Sequence, residues 1–206
     1  MNATKPMNPV RPVNYFSLDL ELNNKSDGTV PKIIQVGCAI ASPLRPNDIK
    51  TYSWYVNPQE PLVPFITKLT GITEEVIATQ SVPLSQVAEE LGNLLTQEKP
   101  FVNPITWGGN DAAELLQEFR DGGISFPFFG RRILDVKTLF VYLEQVNGRS
   151  PSGGLRSAMG KYKCPFLGTP HNAMDDAYNT LRFYFALVNR QRKLEDAMNL
   201  LKTVSY

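Results

Sequence analysis

The chain has 206 residues, 42% hydrophobic and 20% charged, a composition too apolar for disorder and long enough to bury one sizeable core. Twenty-one Lys and Arg offset twenty Asp and Glu, so a net charge of +1 nominates no partner. Two cysteines, Cys38 and Cys164, exclude a disulfide framework and a zinc cluster. The single histidine, His171, excludes any site built from several imidazoles. Residues 1–13 are polar with three prolines and read as a flexible N-terminal arm without the apolar run of a signal peptide. No stretch approaches the roughly 18 apolar residues of a membrane span. With so few cysteines, a reducing, cytoplasmic setting is the expectation.

Tyr15–Leu22 alternates in polarity as a half-buried strand does, and the turn residues Asn23–Gly28 close it. Lys32–Ile40 and Thr51–Val56 read as two further strands, together an antiparallel meander. Residues 57–83 hold four of the sixteen prolines and read as a long crossing segment with one short helix near Pro64–Leu69. Val87, Leu91, Leu94 and Leu95 then recur at helical spacing. Phe101–Trp107 returns to strand character, with Pro104 placing it at an edge or bulge. Helices follow over 111–119, 135–146 and 155–161, and a last one from Asn172 to about Arg190, extendable to Leu201. Strands first, then alternating helix and strand, describe a mixed-sheet α/β domain. From Arg149 onward nine basic residues face four acidic ones, which suits either a polyanion or a solvated helix face.

Carboxylates carry the chemistry. On a strand, Asp19 and Glu21 share a face; buried together they would need cations, whereas a wet edge hairpin would need nothing. By composition alone about half a D-x-E is expected by chance. Asp111 follows Trp107-Gly108-Gly109-Asn110 at a strand-to-helix junction, where an N-cap reading competes. Asp135 has the same capping reading and is left structural. His171 follows Pro170, which breaks the chain there and leaves the imidazole on a loop before the last helix. Asp175 and Asp176 both lie in that helix's first turn, where favourable dipole interaction explains either one.

In order, these features are D-x-E on the first strand, an Asp after a mid-chain strand, and H-x-x-x-x-D at the last helix. That order and spacing resembles the DEDD superfamily of 3′→5′ exonucleases in its histidine-containing branch (DEDDh, DnaQ-like). This branch includes proofreading exonucleases, ribonuclease T, oligoribonuclease and Eri-like RNA-trimming nucleases. The resemblance spans roughly Tyr15 to Val188. It takes in Ile33-Ile34-Gln35-Val36-Gly37, Leu69-Thr70-Gly71-Ile72-Thr73 and the stretch Gly154–Gly160. Two positions depart from the family pattern: Asn110 stands where an aromatic or apolar residue is usual, and Gln35 replaces a frequent acid.

The resemblance implies an α/β, ribonuclease H-like fold: a mixed five-stranded sheet with helices on both faces, forming a single exonuclease domain over 14–206. It makes Asp19, Glu21, Asp111 and Asp176 metal-binding carboxylates and His171 the general base on a mobile loop; the family's five-residue step selects Asp176 over Asp175. Leu20, Phe65, Leu69, Thr70 and Ile72 become substrate-binding candidates, with Phe65 stacking on a base or simply packing under a loop. Arg149, Arg156, Lys161 and Lys163 are either phosphate contacts or exposed charges. The implied partner is single-stranded RNA or DNA with a free 3′ end, hydrolysed to nucleoside 5′-monophosphates. An oxygen-only ligand set suits two Mg²⁺ or Mn²⁺ ions, and an imidazole suits proton transfer near neutrality. A noncatalytic nucleic-acid-binding module on the same fold is the alternative; a lost carboxylate or histidine would mark it, and all five residues are present. A plain interaction protein would leave the place of the only histidine to coincidence.

Overall fold

The computed structural model describes residues 13–204, with side chains to Leu200, so the expected N-terminal arm lies outside the described residues except for Val13. The meander forms as expected: β1 (Tyr15–Asn23), β2 (Lys32–Ala41) and β3 (Lys50–Val56) pair antiparallel in sequence order. Strand period 2 sorts their side chains cleanly. Phe16, Leu18, Leu20, Val36, Cys38, Ile40, Trp54 and Val56 pack on one face beneath α3 (Leu84–Glu98) and α4 (Asp111–Asp121). The other face of β1 and β2 presents Ser17, Asp19, Glu21, Gln35, Gly37, Ala39 and Ala41. These are small or polar, and the long helix α7 (Ala173–Val204) crosses them closely.

Beyond β1 the sheet continues in parallel with β5 (Ile105–Thr106) and β6 (Leu134–Asp135); β4 (Ser81–Val82) pairs parallel with β3 at the far edge. The sheet order is β4-β3-β2-β1-β5-β6. Six strands thus replace the expected five. The ribonuclease H-like mixed architecture stands, with helices α5 (Val136–Val146), α6 (Leu155–Lys161) and α7 opposite α3 and α4. Strands β4 and β6 are two residues long, too short for alternation to reveal. The strand expected over Phe101–Trp107 shrinks to β5 because Pro104 lacks an N–H donor and Phe101 N–H bonds Asn14 O instead.

The crossing segment holds two helices, α1 (Pro64–Thr70) and α2 (Glu74–Gln80). Thr73 caps α2 by accepting from Val76 N, and Glu74 and Glu75 suit its positive end. A bulge in the β1–β2 register between Glu21 and Leu22 leaves Ile34 unpaired. Ile34 packs there with Leu62, Ile66, Ile72 and Ile77, which seats the α1–α2 pair beside the end of β1. Among the described residues, no helix is long and apolar enough to cross a membrane.

Candidate active site

Asp19 sits mid-strand on β1, opposite Gly37, and Glu21 sits opposite Gln35 one step before the bulge. Asp111 occupies the first helical position of α4 after Asn110. The loop into it is held by Asp135, which accepts from Gly108 N (3.0 Å) while capping α5 through Lys137 N and Thr138 N. Asp135 is therefore structural, as its capping position suggests. Asp176 enters from the first turn of α7, which Asn172 caps by accepting from Met174 N and Asp175 N.

These elements converge on a cleft of about 820 Å³ lined by Asp19, Leu20, Glu21, His171 and Asp176, with Trp107, Phe166 and the start of α6 as walls. Ligand atoms of Glu21, His171 and Asp176 lie within 4.8 Å of one another. Asp19 and Asp111 stand outside that trio but act on it electrostatically. Burial, then Asp111, Asp176 and Glu21, push the Asp19 carboxyl well above its usual range. Burial and the charges of Asp176 and Asp111 push Glu21 up to about 8. Asp111 is pushed up to about 7, chiefly by burial, against the pull of backbone N–H groups including that of Leu20. Asp176 is raised by burial, with the His171 N–H drawing it back. Among the described residues none of the four carboxylates pairs with a Lys or Arg. Four clustered anions without a cation match a donor set for hard divalent ions.

Asp175 points elsewhere: its Oδ2 accepts from Thr169 N at 2.8 Å. Asp176 Oδ2 instead accepts from His171 N at 2.8 Å. That bond ties the loop of His171 to the first turn of α7, with His171 itself in the left-handed region at φ 62°. The start of α7 is fixed on the sheet by Gln35, whose Oε1 accepts from Ala173 N at 3.0 Å while its Nε2 donates to Ser53. Gln35, notable in the sequence only as a departure from the family pattern, is thereby a buried anchor of the site.

Residues 16–184 match the family model RNase_T, an exonuclease family. The chain belongs to that exonuclease family. A search of curated proteins by sequence finds no match. The fold of this exonuclease is shared with the nuclease domain of 3′hExo, a DEDDh family member solved with rAMP bound (17% identity, TM-score 0.75, 87% of this chain and 94% of that one). It is also shared with the cell-death related nuclease CRN-4 (21% identity, TM-score 0.73, 87% and 65%). A third likeness is to S. pombe Pop2p in a form with Mg²⁺ and Mn²⁺ bound (20% identity, TM-score 0.64, 85% and 83%). The sequence resemblance to this nuclease family is borne out.

The substrate-binding candidates divide. Leu20 borders the cleft but its side chain belongs to the core under α3 and α4. Phe65 and Leu69 stand exposed on α1, at 67% and 38%. Thr70 and Ile72 are buried: Thr70 Oγ1 donates to Ile66 O and accepts from Ile72 N, and Ile72 joins the Ile34 cluster. None of these four lines the cleft of the exonuclease. Of the basic residues, Arg149 and Lys161 bind the enclosed Glu144, whereas exposed Arg156 lines the cleft. A separate cavity of about 630 Å³ near Lys32 and Glu118 contains none of the predicted site residues.

Proposed function

We propose that this exonuclease hydrolyses single-stranded nucleic acid stepwise from a free 3′ end, releasing nucleoside 5′-monophosphates. The observation that carries this reading is the convergence of Glu21, His171 and Asp176 beside buried Asp19. Asp19, Glu21, Asp111 and Asp176 would hold two Mg²⁺ or Mn²⁺ ions, which supply charge neutralisation and water activation at the scissile phosphate. His171, exposed at the cleft, takes the proton of the attacking water. The water oxygen bonds to phosphorus as the P–O3′ bond breaks, and the leaving O3′ takes up a proton from solvent, so that the shortened strand leaves with a 3′ hydroxyl.

Exposed Phe65 and Leu69 on α1 offer apolar surface to unstacked bases, which suits single strands. Buried Thr70 and Ile72 hold that surface in place, and Leu20 supports the strand that bears the carboxylates. Binding of rAMP by 3′hExo and recognition of a histone mRNA stem-loop 3′ end by a 3′-exonuclease (18% identity, TM-score 0.74) support a 3′-terminal RNA substrate. The metal-bound form of Pop2p supports the choice of ions. The unpaired thiols of Cys38 and Cys164 fit a cytoplasmic setting.

The test is incubation with 5′-labelled single-stranded RNA and DNA in Mg²⁺, in Mn²⁺ and in chelator, alongside Asp19→Ala and His171→Ala. A ladder shortening from the 3′ end, lost with chelator and in both variants, is expected. Intact substrate in every lane despite binding would overturn the reading.

A further inference from the structure

The segment that carries His171 runs antiparallel to α7 and is bound to it at every second residue. Arg182 Nη1 donates to Pro165 O at 2.8 Å. Asn179 accepts from Leu167 N at 3.0 Å and donates to Leu167 O at 2.7 Å. Asp175 accepts from Thr169 N, and Asp176 from His171 N, each at 2.8 Å. Successive turns of α7 thus serve Pro165, Leu167 and Thr169, and its first turn, through Asp175 and Asp176, holds both Thr169 and His171.

Asn179 is the central rung and differs from the others. Its side chain is fully buried, and it grips both backbone groups of one residue. The remaining capacity of the amide is also used, with Nδ2 donating to Asp175 O and Oδ1 accepting from Arg182. All four hydrogen-bonding positions of an Asn are thereby filled. Downstream, Gly168 at φ 86° turns the chain against the Asp175 carboxylate, and His171 follows at φ 62°. A non-glycine residue keeps such a conformation only where its surroundings over-determine it.

We propose that Asn179 is the positioning residue that holds His171 in its working place, acting through Leu167 and the Thr169 rung. The inference rests on His171 being the general base. It goes beyond that reading in assigning a function to a side chain that does not line the cleft.

His171 is the only histidine, so ¹³C-histidine labelling of the full chain in Mg²⁺ reports that one imidazole. In the native protein its signals should stand apart from those of the unfolded chain. In Asn179→Ala they should move toward the unfolded position and sharpen. The kcat on single-stranded RNA should fall about tenfold or more with KM within about twofold. Added to His171→Ala, the Asn179 substitution should cost nothing further, because two residues acting through one group are not additive. Asn179→Asp, isosteric but without the two donors, carries the same test if the alanine variant does not fold. Unmoved imidazole signals in these variants, or an equal rate loss in the His171→Ala background, overturn the proposal. If His171→Ala alone keeps the native rate, the general-base reading fails and the inference with it; if it is slow but Asn179→Ala is not, only the inference fails.

Discussion

Gly37 on β2 has no side chain where the backbone of Ala173, the first residue of α7, occupies the space a Cβ would take. Gly37 also lies directly across from Asp19. The close approach that this glycine permits therefore sets the distance between the strand that bears Asp19 and Glu21 and the helix that bears Asp176.

Gly37→Ala should consequently damage both fold and site. The clash is with backbone, which cannot swing aside, so a loss of at least about 1–3 kcal/mol is expected in urea unfolding. Mn²⁺ binding measured by calorimetry should weaken with it. Gly109→Ala, where the added carbon meets nothing within 4 Å, is the matched control and should be close to neutral.

Acidity offers a second check. Glu21, raised to about 8, and Asp111, raised to about 7, keep protons in the folded, metal-free chain that the unfolded chain has released, and Asp19 and Asp176 shift the same way. A raised carboxyl contributes stability that is present at acid pH and is lost as pH climbs from the ordinary values of 4.5 and 3.8 toward 8. Thermal melts in chelator should show the site's contribution falling between about pH 5 and about pH 8.5, and Mn²⁺ should restore stability at the alkaline end with release of protons. A metal-free melting temperature that rises across this range would contradict the assignment.

Asp19→Asn removes the carboxylate on which the other three act. At neutral pH the metal-free variant should gain stability, on the order of 1 kcal/mol or more, because the cost of burying the Asp19 carboxyl beside the other three carboxylates is removed. Hydrolysis should fall by orders of magnitude. Such a gain in stability at the cost of function marks a site built from mutually repelling groups. A variant that melts lower than the native protein in chelator, or still degrades RNA, speaks against it.

Phe65 is exposed on α1, so Phe65→Ala should change stability by no more than about 0.5 kcal/mol. If the ring stacks on a base, affinity for a single-stranded oligonucleotide should drop by about 1–3 kcal/mol in fluorescence anisotropy. Unchanged affinity would return Phe65 to the plain surface.

Local patterns in the sequence are enough to place much of this. The two-residue period of β1 puts Asp19 and Glu21 on one face, Pro170 leaves His171 outside α7, and the turn residues Pro151-Ser152-Gly153-Gly154 mark where α6 starts. Helix α2 escapes a reading by apolar spacing, although Thr73-Glu74-Glu75 carries its start signal. Nothing local could reveal β4 or β6, since two residues acquire strand identity only from the partner they pair with.

Periodicity and chain breaks depend on near neighbours, so which residue types reach the site, and in what order, is legible along the chain. The tertiary structure alone decided how they are used. It sent Asp176 into the cleft and Asp175 to Thr169, used Gln35 to fix the start of α7 on the sheet, and tied Asn179 to the histidine segment. The contacts of Asn179 and Gln35 join residues 12 and 138 positions apart, and the packing of α7 across small side chains on β1 and β2 brings Ala173 within hydrogen-bonding reach of Gln35.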